Sequence, residues 1–283
     1  MDVRPLWDEL EASLIPVLRG FRGRLAELHV SSKPDDTLLS EADLAVQDHI
    51  VRLIMDADPT ATFVAEEQNT TAPGRRPATT GDLAGRVWII DPIDGTAEFV
   101  QAGRVEFCSV VCLLEAGRPT AALVIAPEIG PGRTPVTVRV MPGGPIEVGA
   151  QPREPHHRAT GLVSVTRSGG HPRPWDAPLA AAGYRVKTRA TSQTLDMVRT
   201  CVDLTRDTDP PLPAFELFQR DAQKVWDGAA GMCLALTAGL RVCDLAGRDR
   251  TTVDADLTVA EPTFTGTVVG SPGLVARFVD WTG

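Results

Sequence analysis

A mixed α/β (α+β) fold is predicted by three features of the sequence. Turn formers are abundant, with 25 glycines and 23 prolines among 283 residues, more than a mostly helical protein carries. Apolar residues recur at helical spacing near the N-terminus. Short β-rich runs follow, and several of them end at carboxylates.

Taken in order, Leu6, Leu10, Leu14, Val17, Phe21, Leu25 and Leu28 step by three and four, so an amphipathic helix is predicted over 6–28, bent at Pro16. A second helix follows Ser40 as N-cap, with Asp43 in its first turn and Leu44, Ile50, Leu53 and Ile54 on one buried face. Runs 62–65 and 87–90 read as strands ending at Glu66, Glu67 and Asp91. Two apolar runs, 107–114 and 119–126, flank Glu115-Ala116-Gly117-Arg118 and predict a hairpin. Prolines and glycines crowd 127–159, which reads as an exposed hairpin and connector, with His156 and His157 solvated. Beyond Gly161, a strand at 162–166, a helix at 175–182 and a strand at 184–187 alternate as in an α/β layer. Residues 227–238 read as a buried helix stopped by Gly239.

The hydrophobic fraction of 43% supports a sizeable core, and the length suits one large domain or two packed halves. A net charge of -9 argues against a surface for a nucleic-acid polymer; acidic residues suit divalent cations, though taken alone the balance is that of an ordinary soluble cytosolic surface. The five cysteines, Cys108, Cys112, Cys201, Cys233 and Cys243, form no C-x-x-C pair and are expected as buried free thiols of a reducing compartment. Acids in the first residues and the lack of a long apolar run lead us to expect a cytoplasmic chain without membrane attachment.

The chemistry concentrates in Trp88-Ile-Ile-Asp-Pro-Ile-Asp-Gly-Thr96. Pro92 cannot donate to a ladder, so a turn is expected there that lets Asp91 and Asp94 converge. Hard cations take oxygen ligands, which Asp91, Asp94 and the Ile93 carbonyl supply. Gly95 and Thr96 are expected to open a helix whose free N–H groups suit phosphate. A bare D-x-x-D is ordinarily only a turn with a cap; the whole D-P-I-D-G-T string behind an apolar strand is far more specific.

That string resembles the signature of the inositol monophosphatase superfamily, the lithium-sensitive phosphatases that include the 3'(2'),5'-bisphosphate nucleotidases. Lys33-Pro-Asp-Asp-Thr-Leu-Leu-Ser-Glu-Ala-Asp43, Phe63-Val-Ala-Glu-Glu67 and Trp226-Asp-Gly-Ala-Ala-Gly231 are similar to three further family segments, in the family's order. The resemblance implies a layered αβαβα sandwich, an α+β half at 1–158, an α/β half at 159–283 and a site between them. It implies a phosphomonoesterase using two or three Mg²⁺ ions. Glu66, Asp91 and the Ile93 carbonyl would hold one ion, Asp91, Asp94 and Asp227 a second, and Glu67 a weaker third. Thr96, polarised by Asp43, would orient the attacking water, with Glu66 beside them. A homodimer and inhibition by lithium are also implied.

Glu98-Phe99 and Ala126-Pro127 resemble the nucleotidases, so the expected substrate is a 3'- or 2'-phosphorylated nucleotide, with inositol monophosphate or another sugar phosphate as alternative. Lysine occurs only at Lys33, Lys187 and Lys224. Lys33, Arg189 and Arg220 are therefore the candidate substrate-binding cations. The segment 188–225 departs from the family, with Thr191-Ser192-Gln193 in place of a Gly-Ser before an apolar helix, on the side that meets the leaving group. A non-catalytic phosphate- or metal-binding relative is the remaining reading, and the presence of every main carboxylate and of Thr96 argues against it.

Overall fold

A computed structural model describes residues 1–32, 38–67, 82, 84–166, 171–257 and 259–282. Lys33 lies outside them. Helix α1 (Arg4–Arg22) contains Pro16 and buries Leu6, Trp7, Leu10, Leu14 and Leu18. It ends earlier than its apolar spacing predicts, and Leu25–Glu27 form a single 3₁₀ turn instead. Strands β1 (Val30–Ser32) and β2 (Leu38–Ser40) pair and lead into α2 (Glu41–Ala57), where Ser40 is the expected N-cap and forms a capping box with Asp43.

A seven-stranded sheet follows: β3 (Phe63–Ala65), β4 (Arg86–Asp94), β5 (Cys108–Glu115), β6 (Arg118–Ala126), β7 (Val136–Val140), β8 (Ile146–Val148) and β9 (Gln151–Pro152), adjacent in that order. Only the β3–β4 pair is parallel. The one-turn helix α3 (Thr96–Phe99) leaves the end of β4. Ala116 and Gly117 both take positive φ at the β5–β6 hairpin, which a two-residue turn of the I′ kind requires.

The second sheet is built from β10 (Leu162–Ser164), β11 (Arg185–Val186), β12 (Leu217–Arg220), β14 (Arg241–Cys243) and β16 (Thr267–Gly270), in the order β11-β10-β12-β16-β14. Its first three strands are parallel, and β16 runs antiparallel to both neighbours. A short pair, β13 (Gln223–Lys224) and β15 (Thr263–Phe264), stands apart. Helix α4 (Asp176–Ala181) joins β10 to β11, while α5 (Gln193–Cys201), α6 (Val225–Thr237) and α7 (Pro272–Thr282) complete the fold.

Side-chain alternation stacks these elements in five layers. In β4, Val87 and Ile89 face a core shared with α5 and α6, while Trp88 and Ile90 face a core shared with α1 and α2. A strand covered on both faces reads as a continuous apolar run, which is why 87–90 shows no polar alternation. Trp175 at the N-cap of α4, Leu179 of α4 and Val275 and Phe278 of α7 pack with Val163, Leu217 and Val268 on the outer face of the five-stranded sheet. Helices α5 and α6 fill the space between the sheets at close range. A Cβ on Gly231 would stand 2.5 Å from Met197 Sδ and 2.6 Å from Met197 Cβ, so only glycine permits that approach.

Three expectations are corrected. The hairpin expected after residue 127 is present as β7 and β8 but is not exposed: β7 is buried along its length, Val136, Val138 and Val140 packing in the core shared with α6 while Arg139 pairs with Asp8 of α1 and with Glu147. His156 is buried there too, its backbone N–H donating to the Cys201 carbonyl, while His157 is exposed as expected. Nor does the chain turn at Pro92. Strand β4 runs to Asp94 through a register shift between Asp91 and Asp94, and such a bulge accommodates a proline that has no ladder hydrogen to donate. Ser109 Oγ donates to the Pro92 carbonyl within it.

Candidate active site

The bulge swings Asp91 and Asp94 toward the first turn of α6. Carboxylate oxygens of Asp91, Asp94 and Asp227 all lie within 4.8 Å of one another. Asp91 and Asp94 are buried and Asp227 is partly exposed. Crowded anions shielded from water resist ionisation. Burial first, then the charges of Glu66, Asp94 and Asp227, push Asp91 well above the usual carboxylate range. Asp227 is raised in the same way by burial and by Asp94 and Glu66. Burial also raises Asp94, though hydrogen bonds from Ser192, Thr194 and Gln193 oppose it.

The oxygens of this cluster suit a hard divalent cation. Asp91 Oδ1 is buried without a hydrogen-bond partner among the described residues, and a buried carboxylate oxygen left so is costly unless a cation takes it. The donor set therefore fits a metal. Glu66 sits beside the cluster at the end of β3, its backbone N–H donating to the Ile90 carbonyl and its charge acting on Asp91 and Asp227. The backbone of the adjacent Glu67 is held from both sides by Gln47 of α2, at 2.6 Å and 2.9 Å.

Thr96 caps the opposite end of this group. Its hydroxyl lies 3.3 Å from Asp43 Oδ1 and 3.0 Å from the Ile93 carbonyl. Asp43 Oδ2 accepts from Ser40 N at 2.8 Å and Ser40 Oγ at 2.6 Å, so the capping box of α2 fixes the carboxylate that faces Thr96. Burial pushes Asp43 up to about 7, partly offset by the Ser40 hydrogen bond, with Glu66 and Glu67 adding to the rise. Gly95, at φ +92, provides the left-handed corner between β4 and α3; a side chain there would also press on the Glu106 carbonyl at 3.2 Å.

The N-terminal turn of α5 closes over the cluster, a contribution that the sequence did not reveal. Ser192 Oγ donates to Asp94 Oδ2 at 2.7 Å, Thr194 N donates to the same oxygen at 2.6 Å and Gln193 N donates to Asp94 Oδ1 at 3.3 Å. Gln193 Nε2 donates to Asp227 Oδ2 at 2.8 Å. Ser192 is the N-cap of α5, accepting from Leu195 N, and that serine ahead of Leu195, Met197 and Val198 was the available signal.

The two described candidate substrate cations are held by protein carboxylates. Arg189 bridges Glu98 and Glu106. Arg220 donates to Asp196 Oδ2 at 3.1 Å and to Ser164 Oγ at 3.0 Å, beside the cluster, where Asp94 and Asp227 act on its charge. Asp196 is fully buried and also binds Lys187 at 2.6 Å. The five cysteines are free and buried. Among them Cys108 adjoins the site, its thiol pushed up by burial and then by Asp94.

The sequence profile of the inositol monophosphatase family matches residues 9–271. The chain belongs to the inositol monophosphatase family. That family is one of phosphomonoester hydrolases, and the chain is an enzyme of this class. A probable inositol 1-monophosphatase, ImpA, of Mycobacterium tuberculosis is 28% identical over 269 residues, 92% of this chain and 91% of that one. A histidinol-phosphatase of the same organism is 33% identical over 103 residues, only 36% of either chain. Among solved structures, the extragenic suppressor protein SuhB of Bartonella henselae superposes with a TM-score of 0.71 at 18% identity, covering 99% of this chain and 98% of that one. The layered architecture expected from the sequence is therefore the family's fold.

Proposed function

We propose that this inositol monophosphatase family member is a Mg²⁺-dependent phosphomonoesterase acting on the phosphate of a secondary ring hydroxyl. The observation that carries the metal assignment is the meeting of Asp91, Asp94 and Asp227 within 4.8 Å. In this reading Asp91, Asp94, Asp227, Glu66 and the Ile93 carbonyl hold the cations, and Glu67 supports a weaker one. A bound divalent cation lowers the pKa of water and neutralises charge that grows on the phosphoryl and leaving oxygens.

The chain's own groups do the positioning. The Thr96 hydroxyl, between Asp43 and the Ile93 carbonyl, orients the attacking water and takes part in removing its proton, with Asp43 as the partner that receives it. Backbone N–H groups of Gly95 and Thr96 face the phosphate. Water oxygen bonds to phosphorus, the ester P–O bond breaks, and the alcohol leaves with a proton beside inorganic phosphate. No covalent enzyme intermediate is required. The site lies between a half at 1–158 and a half at 159–283 in this reading.

For the leaving group, we favour a ribose ring bearing a 2'- or 3'-phosphate, on the nucleotidase-like Glu98-Phe99 and Ala126-Pro127. The internal pairing of Arg189 and Arg220 favours a singly phosphorylated nucleotide over one that needs a second phosphate site. Inositol monophosphate is the alternative, and the 28% identity to ImpA supports it. Phosphate release from adenosine 2'- and 3'-monophosphates, inositol 1-phosphate and histidinol phosphate at one Mg²⁺ concentration tests the reading. Failure with every ester would sink it, and turnover of histidinol phosphate alone, a primary-alcohol ester, would sink the secondary-hydroxyl assignment.

A further inference from the structure

Gln193 touches two of the three clustered carboxylates at once. Its backbone N–H donates to Asp94 Oδ1 at 3.3 Å and its side-chain Nε2 donates to Asp227 Oδ2 at 2.8 Å. The next residue repeats the link, because Thr194 N donates to Asp94 Oδ2 and Thr194 Oγ1 donates to the Asp227 carbonyl at 3.0 Å. The spacing between the strand carboxylate and the helix carboxylate is thus set by the first residues of a third element, α5. Gly231 lets α5 and α6 close to the distance at which those contacts form.

The Asp227 contact is also the one that orients the Gln193 amide. The NH₂ end faces Asp227, donating to its Oδ2, and a carboxylate that binds a cation can only accept from it. The other end, Oε1, is buried without a hydrogen-bond partner among the described residues. A buried amide oxygen left unpaired destabilises the fold, so the arrangement does not serve the needs of Gln193 itself. Holding one lone pair of Asp227 leaves the remaining ones directed at the cluster, and outer partners that orient metal-binding carboxylates commonly strengthen cation binding.

We propose that Gln193 is a positioning residue of the metal centre: its side-chain amide fixes the Asp227 carboxylate in the orientation that takes a divalent cation, and so raises the cation's affinity. This inference rests on the reading of the cluster as a cation site. Its opposite is a brake, in which the amide occupies a lone pair the cation needs; removal of the amide then tightens binding.

The test is direct titration with Mn²⁺, followed through the electron paramagnetic resonance signal of the free ion, on the full chain and on Gln193→Met and Gln193→Ala. Methionine keeps the length and loses the donor. The expected result is about 10- to 100-fold weaker Mn²⁺ binding in both variants, with the circular dichroism of the wild type and the same stoichiometry at saturation. Unchanged or tighter binding overturns the positioning role, and so does unfolding of both variants, which makes Gln193 a fold determinant. Absence of Mn²⁺ binding by the wild type overturns the cation reading itself, an outcome distinct from any result with the variants.

Discussion

The Thr96 hydroxyl stands 3.3 Å from Asp43 Oδ1, joining the first turn of α3 to the first turn of α2 across the site. Neither residue belongs to the three-carboxylate cluster. Their proposed task is to handle a proton. Thr96→Ala is therefore expected to lower kcat by about 10²- to 10⁴-fold, the usual range for acid–base assistance, while Mn²⁺ affinity stays within a few fold. Thr96→Ser should restore most of the rate. Parallel loss of rate and cation affinity would make Thr96 a ligand or a structural cap.

Asp43 carries its proton to about 7 in the folded chain, against an ordinary 3.8. In metal-free protein the native state then holds a proton that the unfolded chain has released, so this group's stabilisation is lost as pH rises toward about 7. His49 and His156, lowered by burial, act in the opposite sense. A difference measurement cancels them. In EDTA, the Tm of Asp43→Asn relative to wild type is expected to climb as pH is raised from about 5 to about 7. A pH-independent difference would contradict the raised Asp43 pKa.

Burial and then the charges of Glu66, Asp94 and Asp227 raise Asp91, so neutralising it removes a stress of the metal-free fold. Asp91→Asn is expected to raise the Tm in EDTA, to abolish the stabilisation that Mg²⁺ gives the wild type, and to remove most activity. Thermal melts with and without Mg²⁺ check all but the last, and a variant still stabilised by Mg²⁺ to the wild-type extent would count against Asp91 as a ligand.

Gly231 couples packing to chemistry. Gly231→Ala places a Cβ within 2.6 Å of Met197 Cβ, an atom that cannot swing away. Overpacking of this kind typically costs about 1–3 kcal/mol. The variant should lose stability in denaturant melts and also bind Mn²⁺ more weakly, because α5 and α6 can no longer hold Asp94 and Asp227 together. Lost stability with intact Mn²⁺ affinity would uncouple the two.

Local signals made much of this site legible. Asp91, Asp94, Gly95 and Thr96 fall within one six-residue stretch of the chain, and Ser40 with Asp43 reads as a helix start from sequence alone. Other contacts depend on partners far along the chain. Strand β7 looked exposed because α1, which covers it, lies more than a hundred residues away. Thr191-Ser192-Gln193 stood out only as a departure; its meaning emerges when Asp94 and Asp227 come beneath it. Arg189 and Arg220 looked available for a ligand because Glu98, Glu106 and Asp196 were not visibly their neighbours. Pro92 misled for a different reason: the missing N–H rules out a regular ladder but not a bulge.

The substrate assignment makes a quantitative prediction of its own. At one Mg²⁺ concentration, kcat/KM for adenosine 2'- or 3'-monophosphate should exceed that for inositol 1-phosphate. A preference of about tenfold for inositol 1-phosphate, roughly 1.4 kcal/mol of transition-state binding, would overturn the nucleotide reading and leave the phosphatase reading intact.

The central claim is that the clustered Asp91, Asp94 and Asp227 hold the cation on which phosphate release depends. Its most direct measurement is the rate of inorganic phosphate release from the best ester, taken with Mg²⁺, with excess EDTA, and with Mg²⁺ restored. The rate is expected to vanish in EDTA and to return with Mg²⁺ in the wild type, but not in Asp94→Asn. Full turnover in EDTA, or full Mg²⁺-dependent turnover by Asp94→Asn, would contradict it.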